Sequence, residues 1–118
     1  YGLAAYAVKL LPRIEQLAEE GNVVLDGLYS WSEYTYLKER LGDSLSVLAI
    51  VTDRAVRYER LTTRTVRPLT NAEATSRDYA EIERLEKGGP IAIADRFVTN
   101  NGSADELMAQ VRAYMASL

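Results

Sequence analysis

Eight of the eleven arginines fall between Arg54 and Arg96: Arg54, Arg57, Arg60, Arg64, Arg67, Arg77, Arg84 and Arg96. A guanidinium presents a planar fork that matches two phosphate oxygens, and several on one closing segment neutralise charge during phosphoryl transfer. Arg60, Arg64 and Arg77 flank the polar connection 62–71, where a lid would sit, and they are the expected phosphate contacts. Arg54, Arg57 and Arg84 are interleaved with Glu59, Asp78, Glu81, Glu83 and Glu86, the pattern of a solvated, salt-bridged helix face. Arg67 fits either reading. Asp26 closes an apolar run at Val23, Val24 and Leu25. At the carboxyl end of a buried strand such a carboxylate can hold magnesium through water or orient a nucleophile, and it can equally cap Gly27 or Ser30. Tyr29, Trp31, Tyr34 and Tyr36 offer rings for a nucleobase, although aromatics at this density more often pack core and rim. Asn100, Asn101 and Gly102 spell a turn.

What else the chain can do is bounded by composition. Among its 118 residues there is no cysteine and no histidine, so disulfides, thiolate metal sites and imidazole bases are excluded. Proton transfer falls to a carboxylate, lysine, tyrosine or water. The net charge of −3 argues against a wholly basic nucleic-acid-binding surface, and no run is apolar enough to cross a membrane. A cytoplasmic location is the expectation. The chain starts at Tyr1 without methionine and moves straight into a helical pattern, as a trimmed piece of a longer protein would.

Elements must place these residues. Leu3, Tyr6, Ala7, Leu10, Leu11, Ile14, Leu17 and Ala18 recur at helical spacing, with Pro12 as a kink or break and Gly21 as the stop. Residues 23–25 read as a strand buried on both faces, and 45–52 as a second strand rich in Val, Ile and Leu. Between them Ser30 or Ser32 caps a helix carrying Tyr34, Leu37 and Leu41 that ends at Gly42. A helix over 54–63 follows, blocked by Pro68. Thr70 and Glu73 have capping-box spacing for a helix to about 87, ending at Gly88, Gly89 and Pro90. Residues 97–99 form a last strand, and Ser103 opens a terminal helix. Helices alternating with apolar strands imply a parallel sheet covered by helices, an α/β fold.

Taken in order, VVLDGL, SVLAIVTD, RYERLTTR, the pair Arg77 and Asp78, and ADRFVTNNGSADEL resemble dephospho-CoA kinase and its kinase-like relatives, over about four fifths of the chain. The resemblance is densest at Glu59, Arg60, Leu61 and Arg64, and from Ala94 and Asp95 through Asn100 to Gly102 and Ser103. It implies a partial P-loop NTPase fold of the nucleoside-monophosphate-kinase kind, residues 1–118 being the carboxyl-terminal piece of one kinase domain with a lid over about 64–90. It also implies ATP and magnesium as cofactors, and a nucleotide or dephospho-CoA as acceptor in coenzyme A biosynthesis. Asp26, Arg64 and Arg77 would be catalytic, Asp26 also holding the metal through water; Arg60, Asn100, Asn101 and Gly102 would bind the nucleotide. The pattern departs at Tyr29, where those relatives often carry arginine, and at Arg96, where an aromatic is common.

No G-x-x-x-x-G-K-[ST] phosphate loop is present, so the piece alone is expected to be inactive. In such kinases the loop-bearing strand lies between the strands matching 23–25 and 45–52. Its absence predicts an oligomer, or direct pairing of those two strands. The lid, at 64–71 above all, is expected to be mobile. The competing reading is a non-catalytic α/β interaction domain that binds a partner through its aromatic and arginine surface.

Overall fold

In the computed structural model, which describes residues 2–118, the chain is α/β, with six α-helices and a two-stranded parallel sheet among the described residues. In order these are α1 (Ala5–Ala18), α2 (Trp31–Leu41), β1 (Leu48–Val51), α3 (Arg54–Thr63), α4 (Asn71–Glu83), α5 (Gly88–Ala92), β2 (Arg96–Thr99) and α6 (Ala104–Ala116). No helix among them is long and apolar enough to cross a membrane.

Packing divides the chain into two units, one holding residues up to Ser46 with Glu81–Ile93, the other Val47–Ala80 with Ala94–Leu118. The first is helical. Pro12 lies inside α1 without dividing it, and Ala7, Leu11 and Ile14 of α1 bury against Leu37 of α2. Leu28, Tyr36, Leu41 and Leu45 close around this core. Ser30 caps α2, its hydroxyl accepting from Glu33 N at 3.1 Å and donating to the Leu3 carbonyl at 3.2 Å. Gly42 ends α2 at φ +55°, as the sequence implies. Gly21 does not act as a left-handed stop: α1 ends at Ala18, in a turn where Glu20 N and Gly21 N both donate to the Leu17 carbonyl.

The strand expected at 23–25 does not form. The segment is irregular and Val24 is 79% exposed. β-propensity expresses how well a side chain fits a pleated, covered surface, and no described strand pairs with these residues to provide one. Gly27 follows at φ +92°, a conformation that leaves regular extended structure, and the Tyr29 ring occupies the space a Cβ there would need.

In the second unit β1 and β2 pair in parallel, Leu48 with Arg96, Ala49 with Phe97, Ile50 with Val98 and Val51 with Thr99. The predicted strand at 45–52 is trimmed to the four residues Leu48–Val51. Asp95 fastens the start of the pair: its backbone N donates to the Val47 carbonyl at 2.9 Å and its carboxylate accepts from Val47 N at 2.7 Å. The connection from β1 runs through α3 and α4. Thr70 and Glu73 form the reciprocal box at the start of α4, Thr70 N to Glu73 Oε1 at 3.2 Å and Glu73 N to Thr70 Oγ1 at 3.1 Å. Past α4, residues 88–92 are helical, so Gly88, Gly89 and Pro90 open a helix and do not end one. Proline fits a first turn, where its missing N–H has no intrahelical partner.

Candidate functional site

The carboxyl ends of β1 and β2 meet the arginine face of α3. Helical spacing puts Arg57, Arg60 and Leu61 on one side of α3, and with Arg64 just past its end, Thr52 after β1 and Asn100 after β2 they line an open depression of about 310 Å³. Thr52 Oγ1 donates to the Asn100 carbonyl at 3.3 Å, and Asp53 N donates to Asn101 Oδ1 at 2.7 Å. Loops at strand ends in parallel sheets are where α/β proteins place functional groups.

Each arginine of the rim is turned to the protein. Arg57 forms a fork on Asp78, Nη1 to Oδ1 at 2.7 Å and Nη2 to Oδ2 at 2.9 Å, and Tyr58 donates to the same carboxylate at 2.7 Å. Arg57 thus pairs with a carboxylate, as the sequence suggests, but across two helices and half-buried, not at helical spacing on a solvated face. Arg60 donates through Nη1 to the Asn100 carbonyl and through Nη2 to the Gly102 carbonyl, the latter at 3.1 Å. It therefore latches the turn after β2. Arg64 Nε donates to the Arg67 carbonyl at 2.7 Å, which holds Arg67 at φ +50°, and Leu69 N donates to the Leu61 carbonyl at 2.9 Å. Those two bonds fold the connection back on α3.

The structure thus brings Arg60, Arg64 and Asn100 to one depression, with Asn101 and Gly102 on its adjoining turn. Arg77 is an exposed residue of α4 and not part of that lining. Asp26 belongs to the first unit, on the irregular segment 22–30, and is itself exposed. It does not stand at the end of a strand. Among the described residues no group of three or more carboxylates gathers where a metal ion could be held.

Sequence reasoning missed three residues. Gln110 of α6 accepts from Thr99 N at 3.0 Å and donates to the Thr99 carbonyl at 2.8 Å, so its amide stands where a neighbouring strand's peptide would. An isolated glutamine in a helix gives no signal of this. Asp95 was visible only as part of a motif, not as the fastener of the sheet. Glu33 is only 7% exposed, and burial raises its carboxyl above the ordinary value of 4.5, while hydrogen bonds with the Tyr29 backbone and the Ser30 side chain pull it down. Nothing in the sequence signalled its burial. Of the first unit's aromatics, Trp31 stacks on Tyr34 at 5.2 Å between centroids and Arg40 lies over Tyr36 at 3.5 Å, while Tyr29 is exposed.

No protein-family model matches the chain. Known proteins do. It is 28% identical over 122 residues to a UPF0200/UPF0201 protein of Archaeoglobus fulgidus, covering 99% of this chain and 37% of that protein. It is 36% identical over 93 residues to a UPF0200 protein of Thermococcus kodakarensis, covering 76% of this chain and 50% of that one. A UPF0200 protein of Saccharolobus solfataricus is 32% identical over 97 residues, with 79% and 51% covered. The chain spans about half the length, or less, of these relatives.

These similarities correct the resemblance to dephospho-CoA kinase. The proteins that match carry UPF0200 names, with no kinase or coenzyme A function in them. The assignment of kinase activity falls with it. Local structure accounts for the motifs that suggested it: Arg60 and Arg64 bind backbone carbonyls, and the stretch from Ala94 to Ser103 is a fastened strand, a turn and a helix cap.

Proposed function

We propose that this chain is a non-catalytic α/β interaction domain, and that in isolation it associates with a second copy of itself through the outer edge of β1. The observation that carries this reading is the state of the sheet. Parallel strands are ordinarily covered on both faces and flanked by further strands, and two strands alone are marginal. Here Ile50 on one face is 55% exposed and Phe97 on the other is 50% exposed.

The two edges differ. The carbonyls of Val47 and Val51 accept from the β2 side, so by strand alternation Leu48 and Ile50 turn their N–H and C=O groups outward. The edge of β2 is occupied at Thr99 by the Gln110 amide and begins with Arg96. The edge of β1 is Leu48, Ala49, Ile50 and Val51, with no charge to repel another strand. Two such edges are self-complementary about a two-fold axis beside Ala49, with Leu48 of one copy opposite Ile50 of the other.

Light scattering across a dilution series tests this with Ile50→Pro. Proline removes an outward N–H and spares the bonds to β2, so it blocks edge pairing while leaving the sheet intact. The expected result is a dimer that dissociates on dilution for the native chain and a folded monomer for the variant. A native chain that is monomeric at every concentration, or a variant that still dimerises, overturns the reading.

A further inference from the structure

We propose that Asn101 is a site of spontaneous covalent modification, at which the folded chain promotes deamidation through a cyclic imide. The sequence places Gly102 after Asn101, so no side chain shields the backbone nitrogen that attacks. Three features of the turn favour the reaction. Asp53 N donates to Asn101 Oδ1 at 2.7 Å, which draws electron density from the side-chain carbonyl carbon and stabilises the oxyanion as attack begins. Among the described residues, Gly102 N–H donates to no other group, so its nitrogen is not committed to secondary structure. The Glu106 carboxylate lies against Gly102, in the space a Cβ there would take, where it can accept the amide proton. Asn101 and Gly102 are both exposed, which admits water.

The steps balance. The Gly102 nitrogen bonds to Asn101 Cγ and loses its proton, and the bond from Cγ to Nδ2 breaks with release of ammonia. Water then opens the imide at either carbonyl, giving aspartate or isoaspartate. The isoaspartate adds a methylene to the main chain at the turn whose Asn100 and Gly102 carbonyls Arg60 holds, so the modification acts on the latch after β2.

The test is timed incubation of the purified full chain at neutral pH, followed by tryptic digestion and mass spectrometry. The peptide 97–112 should gain the mass of an amide-to-acid change, with late-eluting and early-eluting isomers. Peptides holding Asn22 and Asn71, which precede Val23 and Ala72, should not change on that timescale. Glu106→Gln should slow the conversion severalfold, and Gly102→Ala should all but stop it. Asp53→Pro, which removes the N–H donor at a φ of −54° that proline adopts, should also slow it. Conversion of Asn101 no faster in the folded chain than in urea would overturn the proposal, as would rates unaltered by Glu106→Gln and Asp53→Pro.

Discussion

Arg60 shows how a residue can carry the right chemistry and spend it on structure. Its spacing along α3 was legible, because helical periodicity fixes which arginines share a face. Its partner was not, because the carbonyls of Asn100 and Gly102 come from forty residues away and more. Arg60→Ala should lower stability by about 1–2 kcal/mol, the usual worth of charge-assisted hydrogen bonds to backbone, read as a lower urea midpoint. Arg60→Lys should recover part of it, since an ammonium cannot span both carbonyls as a fork does. Glu33 makes a pH-dependent prediction. The folded chain binds its proton more tightly than the unfolded chain, so ionisation costs stability: the cost is absent below the ordinary carboxylate value near 4.5, grows as pH rises, and is complete above the raised folded value. Glu33→Gln should therefore be more stable than the native chain at neutral pH and lose that advantage in acid, as denaturant titrations at both pH values would register.

At the scale of elements, what was legible follows from local chemistry. Thr70 and Ser103 cap the helices that the sequence assigns to them, and of the two candidates Ser30 and Ser32 it is Ser30 that caps α2, because a hydroxyl and an N–H three residues on need no distant partner. Residues 23–25 failed for the opposite reason: a strand is completed by its neighbour, and apolar composition alone does not supply one. Ser30→Ala should cost about 1–2 kcal/mol, at the upper end for a cap, since the buried hydroxyl also serves the Leu3 carbonyl. Thr70→Ala, exposed and with a single such bond, should cost about 1 kcal/mol or less. Thermal unfolding of the two variants side by side separates them.

For the whole molecule, the sequence conveyed an α/β chain with helices linking parallel strands. The short motifs that suggested a kinase are ones that strand ends and helix starts share across many folds, so they could not distinguish a phosphate site from a latched turn. Association through β1 is the claim on which the functional reading stands. Its most direct measurement is amide hydrogen exchange at Leu48 and Ile50, followed residue by residue as protein concentration is raised. These N–H groups face outward, so pairing with a second copy predicts fast exchange in dilute solution and strong protection at high concentration, with Thr99, already held by Gln110, changing little. Exchange at Leu48 and Ile50 that stays equally fast at every concentration would contradict the account.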